Sequence, residues 1–275
     1  MRLIFLSIYA FLPFSLLGIN VPPDSPELVV VIPSYNNGKN NSNMCLKNLQ
    51  SIFSQTYQNF SVIYVNDCSS DDTAALVENF VHTHHLENKI QVINNTERKG
   101  AMRNLYETIH TIEPHKIVVD IDGDDLLANN NVLQKIASIY SNKNIWITCG
   151  STQIFPGSRS FLAHRVSDKI QKSGNFAYYG PQWLPLRTFY AKLFQLIKKE
   201  DLFYNGQFFS VTYDRAIMRP MLEMATYKHF QPVREILYLY YVSPISDGRL
   251  VPEQQRKCRD YIASKPPYAP VESLF

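Results

Sequence analysis

The 275-residue chain is poor in cysteine, has no marked excess of either charge, and lacks both internal repeats and a phosphate-loop consensus. Its four cysteines (Cys45, Cys68, Cys149 and Cys258) lie far apart and never form a CxxC pair, which excludes the usual spacing of a structural zinc site. The same sparsity excludes a disulfide scaffold at this size, so reduced thiols are expected. Against 24 acidic residues stand 27 basic ones, a net charge of +3, and no basic cluster appears. Nucleic acid is therefore not an expected partner. The absence of a fixed period excludes a repeat array, and the absence of GxxxxGK[ST] excludes a P-loop. What is present, 45% hydrophobic and 19% charged residues, suits a soluble globule with a full core. The length allows one large domain or two small ones.

The N-terminus departs from that composition. Arg2 precedes residues 3–19, which carry no charge. This pattern predicts a signal peptide or a membrane anchor over 1–19, and seventeen residues are near the lower limit for a span. A membrane-associated or secretory-pathway protein is expected, with a cytosol-facing anchor as the alternative. A buried helix would need cover around its whole circumference. Residues 20–26 read as a proline-rich linker, and the folded part is expected to begin near Glu27.

"ELVVVIPSY" is a continuous apolar run, the signature of a strand buried on both faces. "FSVIYVND", "NKIQVINN", "HKIVVDID" and "NIWITCGSTQIF" read as four more strands. Between them, "NMCLKNLQSIFSQ", "DDTAALVENFVHTHH", "AMRNLYETIHTI" and "NNNVLQKIASIY" place apolar residues at helical spacing. Strands alternating with helices predict an α/β fold, a mainly parallel sheet with helices on both faces. Ligands in such folds bind at the carboxyl ends of the strands. Polar residues collect there: Ser34, Tyr35 and Asn36, then Asp67, then Asn94 and Asn95, then Asp120, Asp122, Asp124 and Asp125. After residue 154 the alternation stops. "RTFYAKLFQLIKK" and "RAIMRPMLEMA" read as helices and "EILYLYYV" as a strand. No linker separates this half, so 27–155 and 156–245 are expected to share one domain, with 246–275 as a tail.

"DIDGDD", residues 120–125, crowds like charges that a cation would relieve. Carboxylate oxygens suit Mg²⁺ or Mn²⁺, and Gly123 permits a tight turn. The plain alternative is a solvated Asp-Gly turn. An EF-hand is excluded, because no acidic residue stands at the twelfth position. In "VNDCSSDDT" a helix cap explains Ser70, Asp71 or Asp72 but not Asp67. In "NNTERKGAMRN" Gly100 opens a helix whose first turn carries Arg103, an arrangement that favours an anion. Taken by itself, that segment reads better as an ordinary helix start with a surface arginine.

Taken in order, "VVVIPSYNN", "VNDCSSDDT", "ERKGAMRN" and "DIDGDD" resemble family 2 glycosyltransferases of GT-A fold, over residues 28 to about 155. The resemblance implies that Pro33, Tyr35, Asp67, Arg103 and Asn104 hold the nucleotide. It implies that Asp122 and Asp124 contact the nucleotide, with Asp124 and Asp125 on the metal. Asn66 stands where the family more often has aspartate, and Cys68 where it has glycine. Asp120 lies too early to belong to the motif. The family's catalytic base maps to Asp214 in "VTYDRAIMRPMLEMA", with Tyr213 where glutamate is usual. A helix cap is the alternative for Asp214. The QxxRW-type ending of processive members is missing.

The function so implied is transfer of a sugar from a nucleotide-diphosphate sugar, expected to be a UDP-sugar, to an acceptor hydroxyl. Mn²⁺ or Mg²⁺ assists, and one base opposite the leaving group implies inversion. The acceptor, whether glycan, lipid or protein, stays open. A sugar-1-phosphate nucleotidyltransferase is the rival reading, although "PSYNNGKNN" lacks its glycine-rich basic loop. A non-catalytic nucleotide-sugar-binding relic is the other, and a phospho-acceptor receiver domain would be about half as long.

Overall fold

The computed structural model describes residues 25–173, 176, 184–242 and 252–275. In chain order the strands are β1 (Leu28–Ser34), β2 (Phe60–Asn66), β3 (Ile90–Asn94), β4 (Ile117–Asp120), β5 (Leu126–Leu127), β6 (Ile147–Phe155), β7 (Ser160–Phe161), β8 (Arg187–Tyr190), β9 (Phe203–Tyr204), β10 (Gln207–Phe208) and β11 (Phe230–Tyr241). The helices are α1 (Met44–Phe53), α2 (Thr73–Thr83), α3 (Ala101–Ile109), α4 (Val132–Tyr140), α5 (Asp168–Ser173), α6 (Ala191–Gln195), α7 (Tyr213–Ala225) and α8 (Pro252–Ser264).

Every residue of β1 is buried, because its parallel neighbours flank it on both sides. Leu28 pairs with Phe60 on one side and Ile117 on the other. The main sheet runs β3-β2-β1-β4-β8-β6-β11-β5, with β7 on β6. The first four strands are mutually parallel, so their carboxyl ends share one edge. Helices α1 and α4 turn apolar faces inward, including Leu49, Ile52, Leu133 and Ile136. The expected α/β architecture is present as a mixed, mostly parallel sheet.

Two readings need correction. "RTFYAKLFQLIKK" is not one helix: Arg187–Tyr190 forms β8, antiparallel between β4 and β6, and only Ala191–Gln195 is helical. All four β8 residues are buried, and a slot between two strands overrides local helical periodicity. The predicted fifth strand, β6, therefore does not adjoin β4. The expected membrane placement is corrected too. Among the described residues no helix is long and apolar enough to cross a membrane. The longest, α7 and α8, have 13 residues, about 20 Å against a hydrocarbon core of about 30 Å. Segment 1–19 itself lies outside the described residues.

Candidate active site

The site is built at the shared strand edge. After β1, the Asn36 amide donates to Ser69 Oγ (3.0 Å), and the Ser70 amide donates to Asn36 Oδ1 (2.9 Å). Gly38 and Lys39 amides donate to Asp71 and Asp72. Those two aspartates thus pin the β1 loop to the β2 loop, and Asp72 makes no side-chain cap bond to α2.

Asp67, after β2, is buried and organises the third loop. Its carboxylate accepts from the amides of Lys99 and Gly100, each at 2.8 Å, and from Asn95 Nδ2 at 2.9 Å. Gly100 sits at φ +80°, a left-handed conformation that glycine adopts at little cost. Burial alone would raise the Asp67 carboxyl, but the Asn104 amide beside it and these donors hold it below the usual carboxylate range. The sign follows: the stabilisation is present above the unfolded pKa and is lost as pH falls through the lowered folded one. We therefore expect Asp67→Asn to lose less of its thermal stability than wild type as pH falls below about 4. Melting temperature against pH checks this. An unchanged acid limb contradicts it.

A cavity of about 980 Å³ opens above these loops. It is lined by Pro33, Tyr35, Asp67, Arg103 and Asn104, five residues singled out in the sequence. Arg98 lies over the Tyr35 ring at 3.7 Å, a cation–π contact on its wall. Arg103 reaches the wall already paired, Nε to Glu107 at 2.7 Å and Nη1 to Glu97 at 3.5 Å. Asn94 bonds to Asn66 and Glu78 and is not among the lining residues. The far wall is aromatic: Tyr106, Phe203, Phe208 and Phe209, with Lys199 near Tyr106 and Phe208.

The aspartate turn lies beside that cavity, not in its lining. Asn48 of α1 fixes the turn by donating to the carbonyls of Asp122 (3.1 Å) and Asp125 (2.7 Å). A Cβ on Gly123 would fall 2.6 Å from Ser34 Oγ, so only glycine lets the turn lie this close to β1. The four aspartates separate into distinct roles. Asp120 is fully buried, and its Oδ2 accepts from Arg187 Nε at 2.7 Å. Burial raises its carboxyl, Arg187 lowers it and Asp122 raises it again, for a net value of about 6. Asp122 Oδ1 accepts from the Tyr213 hydroxyl, and its Oδ2 lies 3.7 Å from Arg187 Nη2. Asp124 is half-buried.

Asp125 faces inward. Its two oxygens accept from Tyr238 Oη (2.7 Å) and the Tyr241 amide (2.6 Å), and the residue is 1% exposed. Burial pushes its carboxyl well up, and Asp124 and Asp122 push it further. A group so occupied is a poor metal ligand, which changes the expectation drawn from the resemblance. Among the described residues no group of three or more His, Cys, Asp or Glu side chains is arranged to hold a metal. A hard cation often takes only one or two carboxylates and completes its shell with phosphate and water.

Tyr238 Oη also accepts from the Asp122 amide at 3.1 Å, so one hydroxyl joins both ends of the turn. We expect Tyr238→Phe to cost about 1–3 kcal/mol, because it strands a buried carboxylate oxygen and an amide. Urea denaturation measures it, and a wild-type midpoint would contradict the hydrogen-bond assignment.

Asp214 lies in the first turn of α7, half-buried. The cap residue is Thr212, left-handed at φ 57°, so Asp214 is not the helix cap. Burial raises its carboxyl, Arg187 and Arg215 lower it, and Asp122 raises it again, for a net rise. Tyr213, one residue earlier, ties this helix start to the aspartate turn. Sequence reasoning missed Arg187, Tyr238 and Tyr241. A charged residue closing the apolar run "KIVVD" was the available signal for Arg187, since a buried carboxylate needs a partner.

A mixed α/β sheet with these loops at one edge is the nucleotide-diphospho-sugar transferase arrangement, the GT-A type. Residues 29–224 match the model of glycosyl transferase family 2. The chain belongs to this family. It is similar to the O-antigen chain rhamnosyltransferase WbaN of Salmonella anatum, 29% identical over 126 residues, which are 46% of this chain and 36% of that protein. It is similar to glycosyltransferase GlyG of Streptococcus pneumoniae serotype 4, 27% identical over 228 residues, covering 78% of this chain and 70% of the relative. TarS 1–349 of S. aureus, solved with UDP-GlcNAc, shares the fold at TM-score 0.60 and 15% identity, over 86% of this chain and 65% of that one. The chain thus spans about a third of WbaN's length.

Proposed function

We propose that this glycosyltransferase moves a sugar from a UDP-sugar to an acceptor hydroxyl, with a divalent cation bound and with inversion at the anomeric carbon. The observation that carries the reading is the cavity that gathers Pro33, Tyr35, Asp67, Arg103 and Asn104 beside the aspartate turn. Asp67 and Tyr35 hold the nucleoside, and Asp122 takes the ribose side. Asp124, with Asp122, would hold Mn²⁺ or Mg²⁺. The cation, when bound, supplies positive charge against the diphosphate. Asp125 serves as scaffold under the turn. Arg103 adds charge at the cavity wall once it exchanges a glutamate for phosphate. Asp214 removes the acceptor proton, and Tyr213 keeps the helix start that bears it against the turn. Residues 27–155 form the donor half and 156–245 the acceptor half. Solved proteins of this fold were crystallised with UDP-GlcNAc and with GDP-Man, so the uridine assignment is the part put to the test below.

Isothermal titration with UDP tests the donor assignment. Binding is expected in the presence of Mn²⁺ and is expected to weaken at least tenfold in EDTA, as for a site completed by an ion. Equal affinity in both conditions removes the metal, and absence of binding removes the uridine donor.

A further inference from the structure

Arg187 is a buried cation beneath the aspartate turn. β8 places it opposite Asp120 in the antiparallel register with β4. Its Nε lies 2.7 Å from Asp120 Oδ2, its Nη2 3.7 Å from Asp122 Oδ2, and its guanidinium carbon 5.8 Å from the centre of the Tyr213 ring. The Tyr213 hydroxyl closes the set on Asp122 Oδ1. Arg187 and Asp120 are 3% and 0% exposed, and Asp120 Oδ1 has no hydrogen-bond partner.

Such a pair is a poor way to stabilise a sheet. Replacing a buried ion pair by well-packed apolar side chains is often neutral or stabilising. The rest of β4, Ile117–Val119, is apolar and fully buried, so an apolar residue would suit position 120. The use of the pair therefore lies in what it holds.

We propose that Arg187 is a positioning residue of the donor site. Anchored on Asp120, it fixes Asp122 from one side while Tyr213 fixes it from the other. Asp122 then links two elements: the turn that carries Asp124 and the α7 start that carries Asp214. The inference rests on the donor reading above. It adds that the buried pair sets the geometry of the turn and does not serve stability.

The test is the double variant Asp120→Val/Arg187→Met of the full chain, studied by thermal melting and by titration with UDP plus Mn²⁺. The expected result is a melting temperature at or above wild type, together with a Kd for UDP·Mn²⁺ raised about 10- to 100-fold, the scale of lost outer-shell support. Wild-type Kd in the double variant overturns the proposal, whatever its melting temperature. Should the double variant not fold, Arg187→Lys decides. It keeps the charge but not the planar fork, so Kd is expected to rise about tenfold, and a wild-type Kd overturns the proposal. Wild-type protein that binds no UDP·Mn²⁺ overturns the donor reading instead, and this inference with it.

Discussion

Replacing Asp214 by asparagine is expected to lower kcat about a hundredfold or more and to leave the Kd for UDP unchanged. The expectation follows from where α7 begins. Its cap is Thr212, so asparagine at 214 removes no cap bond. The cost to the helix is the loss of one negative charge near its N-terminus, about 0.3–1 kcal/mol. That is too small to unfold a domain of this size. Loss of turnover with normal folding then reports on the carboxylate itself. The pH dependence gives a second reading. Burial raises the Asp214 carboxyl above the usual range. A general base works only when ionised, so kcat falls as pH drops through that raised pKa. The acid limb is expected in wild type and absent in Asp214→Asn. A variant with near-wild-type kcat would show that Asp214 only starts a helix.

Asp124→Ala is expected to lower turnover about a hundredfold to a thousandfold, and EDTA is expected to act likewise on wild type. Asp125→Asn should behave differently. Asp125 already has both oxygens taken by Tyr238 and the Tyr241 amide, and burial raises its carboxyl well above the usual range. Asparagine is close in shape to a protonated aspartic acid, and the Tyr238 hydroxyl can turn to accept. Turnover within about tenfold of wild type is therefore expected for Asp125→Asn, against the larger loss for Asp124→Ala. Measuring kcat for both variants at saturating Mn²⁺ separates a ligand from a scaffold. The reverse ranking would restore Asp125 to the ion.

The four parallel strands were legible because each is a short apolar run ending in a polar residue. β1 and β4 are buried on both faces, which leaves no alternation to confuse them. That Pro33, Tyr35 and Asp67 line one cavity was legible for a related reason, since parallel strands carry their carboxyl ends to one edge. β8 was not. Arg187–Tyr190 runs straight into a helix, and its strand character comes from the slot between β4 and β6. That insertion hid Arg187, whose partner Asp120 lies 67 residues away. The fates of Asp124 and Asp125 were illegible too. Adjacent aspartates in a turn point in directions set by what packs beneath, here Tyr238 on β11. Asp67 reads in the sequence as a nucleotide contact, yet its carboxylate also holds the amides of Lys99 and Gly100. The aromatic wall of the cavity, brought by the β9–β10 hairpin and α3, had no motif to announce it.

The central claim is metal-assisted cleavage of a nucleotide-diphosphate sugar in the cavity between the β1 loop and α3. Release of UDP from a panel of UDP-sugars, with Mn²⁺ and with EDTA, tests it most directly. The account predicts release from at least one donor with Mn²⁺, suppressed by EDTA and by Asp124→Ala. Donor cleavage that continues unchanged in EDTA, or cleavage that needs added pyrophosphate and yields UTP and sugar 1-phosphate in place of UDP, would contradict it.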